Sequence, residues 1–84
     1  MKEIWEERYS SEEYIYGTEP NAWFRQFIET REPGVLLLPA EGEGRNAVFA
    51  ARHGWHVEAF DLTTRGQQKA LKLAAKHQVA IHYQ

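Results

Sequence analysis

An unbroken apolar run, Val35-Leu36-Leu37-Leu38-Pro39, leads straight into Ala40-Glu41-Gly42-Glu43-Gly44-Arg45-Asn46, and a second apolar stretch ends at Asp61. A run of that kind bounded by turn residues is a strand covered on both faces, as in the middle of a parallel sheet. The glycines allow a tight turn and a close approach of the backbone to a ligand. A carboxylate after the next strand is placed to accept hydrogen bonds from ribose hydroxyls. Gly42 and Asp61 are 19 residues apart, near the roughly 20 that this geometry requires. A lone Gly-x-Gly says little, but this placement predicts a nucleoside-type crevice at the carboxyl ends of the strands.

The segments on either side fit the same layout. Lys2 to Tyr9 puts Ile4, Trp5 and Arg8 at helical spacing and is broken by Ser10-Ser11. Tyr14 to Asn21 is aromatic but rich in turn residues, and reads as an ordered loop. A second helix starts near Pro20 or Asn21, with Asn21 as a candidate cap, and Pro33-Gly34 ends it. Its stripe of Trp23, Phe24, Phe27 and Ile28 is assigned, with Trp5, to packing. Asn46 to His53 is a third helix, stopped by Gly54. Trp55 to Leu62 is the second strand. Thr63 or Thr64 caps a further helix running to about His77, with Ala70, Leu71, Leu73, Ala74 and Ala75 inward. Val79 to Tyr83 begins a third strand. Right-handed crossovers give parallel strands in the order 3-2-1, with the first at an edge. The predicted class is α/β: part of a Rossmann-like, doubly wound parallel sheet preceded by two amino-terminal helices. A strand so apolar at a bare edge needs covering, so the 84 residues read as part of a domain, completed by a carboxy-terminal half or by self-association.

Composition narrows the function. Apolar content of 43% and charged content of 26% are those of a globular protein. The net charge of −2 offers no basic face for nucleic acid. The sequence has no cysteine, which removes disulfides, thiolate metal sites and cysteine nucleophiles. No signal peptide or membrane span is legible, so a cytoplasmic location is expected. His53, His56, His77 and His82 show no ligand spacing with carboxylates, and no metal site is predicted. Ser10 and Ser11 precede no histidine–acid arrangement, so nucleophilic catalysis has no support.

Three stretches together resemble class I S-adenosylmethionine-dependent methyltransferases, and more closely the small group akin to tellurite-resistance and thiopurine methyltransferases. Trp5-Glu6-Glu7-Arg8-Tyr9 with Tyr14 to Asn21 is similar to that group's cofactor-covering amino-terminal segment. Glu41-Gly42-Glu43-Gly44-Arg45-Asn46-Ala47 is similar to its glycine-rich motif, and Val57 to Leu62 to its second strand and ribose-binding acid. The resemblance implies S-adenosylmethionine as cofactor and methyl transfer to a small-molecule acceptor. It also implies that Glu41, Gly42, Gly44 and Arg45 surround the methionine and ribose portion. Asp61 would take both ribose hydroxyls, Leu62 would lie beside the adenine, and Tyr16, Gly17 and Thr18 would close over the methionine end. The chain departs from the family in its first strand, where Leu37-Leu38-Pro39-Ala40 lacks the usual acid and Glu41 is left to hold the cofactor's amino group. The family's fourth-strand motif and substrate-facing loops have no counterpart in these residues, and no residue stands out as a general base.

Other readings of the same residues stay open. The glycines also suit an ordinary strand-to-helix turn. Asp61 also suits a helix cap, and Glu43 and Arg45 suit a solvated first turn. A NAD(P)-type fingerprint is also tolerated, with Ala47 in its third position. A non-catalytic module that oligomerises through its open edge is the remaining alternative.

Overall fold

The computed structural model describes residues 2–11, 13–39 and 41–84, so the expected strand-to-turn residue Ala40 lies outside the described part. The elements run α1 (Lys2–Arg8), α2 (Ala22–Glu29), β1 (Val35–Pro39), α3 (Arg45–Arg52), β2 (His56–Phe60), α4 (Thr64–Lys76) and β3 (His82–Tyr83). The strands form one parallel sheet in the order β1-β2-β3.

Local chemistry sets most of these boundaries. The Asn21 side chain accepts from the backbone N–H groups of Trp23 and Phe24 and starts α2. Thr30, whose hydroxyl bonds back to the Gln26 carbonyl, ends it before Pro33 is reached. Gly54, at φ +89°, turns the chain out of α3. Thr63 precedes α4 but its side chain caps nothing. The Arg65 N–H in the first turn of α4 is satisfied instead by the Glu6 carboxylate from α1.

The sheet has one covered face and one open face. Pairing aligns Leu36 with Val57 and Leu38 with Ala59, and Tyr83 with Ala59. These residues face the helices, where Val57 and Ala59 join Ile28, Ala47, Val48, Phe49, Ala50, Ala70, Leu73 and Ala74 in the core. The alternate residues Val35, Leu37, Pro39, His56, Glu58, Phe60 and His82 form the other face. Nothing among the described residues covers it: Val35 is 75% exposed and Leu37 65%. The expectation that β1 is buried on both faces is therefore corrected. Its unbroken hydrophobicity marks a strand suited to two covers, of which these helices supply one.

Three further packing expectations are corrected. Trp23, in the first turn of α2, is 72% exposed and stacks on the ring of Phe27. Leu71 and Ala75 point outward, since the buried stripe of α4 runs through Gly66, Ala70, Leu73 and Ala74. The third strand has two residues, not five, because Val79 and Ala80 form the approach from α4.

Two measurements test this arrangement. The open apolar rows on β1 are expected to drive self-association at high concentration. Sedimentation velocity should show mass rising with concentration and Leu37→Lys should suppress the rise; a concentration-independent monomer would contradict it. Gly44 packs on α4 at φ +89°, and a Cβ there would lie 2.5 Å from that of Ala70. Left-handed strain and overpacking should together cost Gly44→Ala about 2–4 kcal/mol, lowering Tm by roughly 10 °C or more in a domain of this size. Thermal unfolding followed by circular dichroism reads this directly.

Candidate functional site

The strands β1 and β2 deliver their carboxyl ends to the same edge of the sheet, and the turn 41–44 crosses above them. The peptide of Gly42 is held from both sides. Its N–H donates to Asp61 Oδ2 at 3.0 Å, and its carbonyl accepts from the Tyr83 hydroxyl at 2.5 Å. Gly42 takes φ +63°, and a Cβ on it would meet the Tyr9 hydroxyl at 2.7 Å. Each glycine of the turn thus admits a part of this chain: Tyr9 at Gly42 and α4 at Gly44. The close approach that the sequence suggests for a ligand is taken by the protein itself.

The acids of the turn have distinct tasks. Glu41 reaches forward so that Oε1 accepts from the N–H groups of Asn46 at 3.0 Å and Ala47 at 2.7 Å. It occupies the N-terminus of α3, where a negative charge is favoured by the helix dipole. Burial nevertheless dominates and pushes its carboxyl up to about 7, against the lowering effect of those hydrogen bonds and of Arg45. Glu43 is buried, which corrects the solvated reading. Its Oε1 accepts from the Ile15 N–H at 2.8 Å and its Oε2 pairs with Lys69 Nζ at 2.6 Å. Burial is tolerated because both oxygens are satisfied.

Lys69 also donates to the Glu13 carbonyl at 2.6 Å, and the Tyr14 hydroxyl donates to the Lys69 carbonyl at 2.9 Å. Asn46 Oδ1 accepts from the Asn21 N–H at 2.9 Å. The loop from Glu13 to Asn21 is thereby tied down beside the glycine turn. Gly17 makes its own bend at φ +76°.

Two concavities open at this edge and share Tyr9 and Tyr16. One, about 160 Å³, is lined by Gly17, Glu41, Glu43, Arg45 and Asn46 together with the two tyrosines. The other, about 590 Å³, is lined by Trp5, Pro39, Phe60, Asp61 and Leu62 with the same tyrosines, and is mostly apolar. The first is polar and charged; the second offers flat apolar surface with one carboxylate. The second lies within the roughly 300–1,000 Å³ common for small-molecule pockets.

The residues singled out from sequence are therefore distributed as follows. Tyr16, Gly17, Glu41 and Arg45 line the polar concavity, with the Arg45 guanidinium 5.7 Å from the centre of the Tyr16 ring. Asp61 and Leu62 line the apolar one. Gly42 and Gly44 are buried in the turn, behind the lining. Thr18 is exposed and lines neither concavity.

Asp61 is more engaged than its expected role suggests. Besides Gly42, it accepts at Oδ1 from the Thr63 N–H at 3.1 Å and the Thr63 hydroxyl at 3.2 Å. A carboxylate has about four lone-pair sites, so three bonds leave room for about one more donor. Accepting two ligand hydroxyls requires release of the Thr63 hydroxyl.

The sequence reading missed the central place of Tyr9 and Tyr83. Tyr9 stacks on Trp5 with ring centroids 5.6 Å apart, and burial, with Asp61 and Glu43 adding to it, pushes its phenol up to about 12. The Tyr83 phenol is raised too, chiefly by burial. Both are protonated donors at neutral pH. The one-turn spacing of Trp5 and Tyr9 hinted at a shared face, whereas nothing near Tyr83 in sequence signals a partner 41 residues away. The structure also gathers His56, Glu58 and His82 on the open sheet face. This corrects the reading that no histidine is spaced with a carboxylate: His56 and Glu58 alternate on β2, and His82 comes from the neighbouring strand.

No helix of the described residues is long and apolar enough to cross a membrane. No family model matches the chain, and no curated protein matches it. Among solved structures, a chain described under "Conversion of a Disulfide Bond into a Thioacetal Group during Echinomycin Biosynthesis" has the same fold, with a TM-score of 0.82 and 17% sequence identity. The match covers 100% of this chain and 38% of that one, so these residues span well under half of the neighbour's length.

Proposed function

We propose that this chain is the S-adenosylmethionine-binding part of a class I methyltransferase acting on a small-molecule acceptor, built on a partial Rossmann-like, doubly wound sheet. The observation that carries the reading is Glu41 at the N-terminus of α3. A dinucleotide needs free N–H groups there for its pyrophosphate. Here two of them are already bonded to a carboxylate, which would also repel phosphate. The same carboxylate favours a cation. A nucleoside joined to a positively charged amino-acid end, without phosphate, suits both halves of the crevice.

On this reading the apolar groove of Trp5, Pro39, Phe60 and Leu62 takes the adenosine, with Asp61 at the ribose. The polar concavity takes the methionine end, with Glu41 near its ammonium group and Arg45 near its carboxylate. Tyr16 and Gly17, on the tethered loop, close over it, and an aromatic ring near a sulfonium adds cation–π attraction. The cofactor supplies an activated methyl group for in-line displacement; this chain's residues bind it, orient it and exclude water. Support also comes from the shared fold of the thioacetal-forming system's chain and from the joint resemblance of the three sequence stretches. The open sheet face and the free edge of β1 are where the remaining part of such a domain, or a second copy, would pack.

The dinucleotide reading keeps one observation, the complete burial of Ala47, which suits the fingerprint's third position. Ligand-dependent unfolding separates the two. S-adenosylhomocysteine should raise Tm and NAD should not; stabilisation by NAD alone would refute the methyltransferase assignment.

A pH series tests Glu41 itself. Its carboxyl is raised to about 7, so it is largely protonated at pH 6 and ionised at pH 8. Affinity for the cationic ligand should therefore rise with pH, with a limiting slope of about tenfold per unit below about 7. Glu41→Gln keeps an oxygen for both N–H bonds and should flatten that slope in calorimetric titrations. An unchanged slope in the variant would place the titrating group elsewhere.

A further inference from the structure

The open face of the sheet holds a cluster that the proposed cofactor site does not use. His56 and Glu58 are two residues apart on β2 and so project to the same side. His82 on β3 is the register partner of Glu58. His56 Nε2 lies 2.7 Å from Glu58 Oε2, and His82 Nδ1 lies 3.6 Å from the same oxygen. The ligand atoms of all three residues fall within 4.8 Å of one another, and the two imidazole centroids are 4.9 Å apart.

These distances are close to what a metal ion requires. Zinc holds nitrogen and oxygen ligands at about 2.0–2.2 Å, so two ligands at the tetrahedral angle stand about 3.4 Å apart. The His82–Glu58 pair already has that separation. The His56–Glu58 pair is a hydrogen bond and has to widen by less than about 1 Å, and the two imidazole nitrogens, within 4.8 Å, have to close by up to about 1.4 Å. The side chains are surface residues with room for that adjustment, and their rigid part, the paired backbone of two strands, needs no movement.

We propose that His56, Glu58 and His82 form a binding site for a divalent transition metal of the zinc class. Two imidazoles and one carboxylate suit Zn²⁺, Ni²⁺ or Cu²⁺, whereas Mg²⁺ prefers six oxygens. Three protein ligands leave a position of the metal for water in this chain alone, or for a group from whatever packs on this face. On binding, His56 presents an unprotonated ring nitrogen, its N–H carried on the other nitrogen, and both residues become ligands. Val35 and Leu37, the β1 register partners of His56 and Glu58, provide an apolar border on one side. The site rests on these residues alone and is independent of the cofactor reading.

The test is calorimetric titration of the full chain with ZnCl₂ and, separately, MgCl₂, at a dilution where sedimentation gives a monomer. The expected result is one zinc per chain and no magnesium. Losing even an outer-shell partner costs about 10–100-fold in metal affinity, so His82→Asn and Glu58→Gln should each weaken zinc by at least that much. His53→Asn, on α3's far end, should leave it unchanged. Circular dichroism confirms that these surface variants keep the fold. Cobalt in place of zinc should give the visible absorption of a four-coordinate site, and His82→Asn should remove it. Absence of zinc binding, or zinc binding that survives both ligand variants, would overturn the proposal.

Discussion

The peptide group of Gly42 is the point on which this small fold turns. Its N–H is fixed by Asp61 at the end of β2 and its carbonyl by Tyr83 at the end of β3. One turn after β1 therefore locks the ends of the other two strands. The two bonds are largely shielded from water, where losing one partner strands the other and costs about 1–3 kcal/mol. With Tyr9 above the turn and α4 against Gly44, the arrangement leaves little slack. The crevice sits at the strand ends because this lock brings them together.

Glu43 extends the lock to the amino-terminal loop. Its buried carboxylate joins the Ile15 backbone to Lys69, and Lys69 returns to the Glu13 carbonyl. Exposed ion pairs contribute little, but a buried one whose remaining hydrogen bonds are met fixes position. Polar bonds, with Tyr14 packed against the core, hold the segment beside the glycine turn. That makes the loop the part of the site best able to yield when a ligand enters.

Sequence pattern was informative where local chemistry decides. The Asn21 cap, the Gly54 stop and the positive-φ glycines of the turn all follow from residue type and neighbour spacing. The outcome differed where a residue answers to a distant partner. Thr63 looked like a helix cap, yet Asp61 claims its hydroxyl and Glu6 satisfies the helix. Glu43 looked solvated because its partners, Ile15 and Lys69, lie far from it along the chain. The apolar run of β1 predicts two covers, whereas the described residues supply one. His56 and Glu58 share a face through their alternate spacing on β2, and His82 joins them only through strand register. That Tyr83 bonds the Gly42 carbonyl and Tyr9 fills the space above Gly42 appears only in the tertiary contacts.

The bonds that seat the amino-terminal segment span long stretches of chain. Tyr14 reaches Lys69 across 55 residues, Lys69 reaches Glu13 across 56, and Glu6 reaches Arg65 across 59. These three anchors of the amino-terminal segment thus exist only once α4 has been made. The shorter bonds of the same segment, Ile15 to Glu43 and Asn21 to Asn46, span 28 and 25 residues and need no part of α4. Closing such long loops is slow relative to forming α2 or α3. The seating of α1 and Tyr14 beside the glycine turn is thus the most non-local part of this fold.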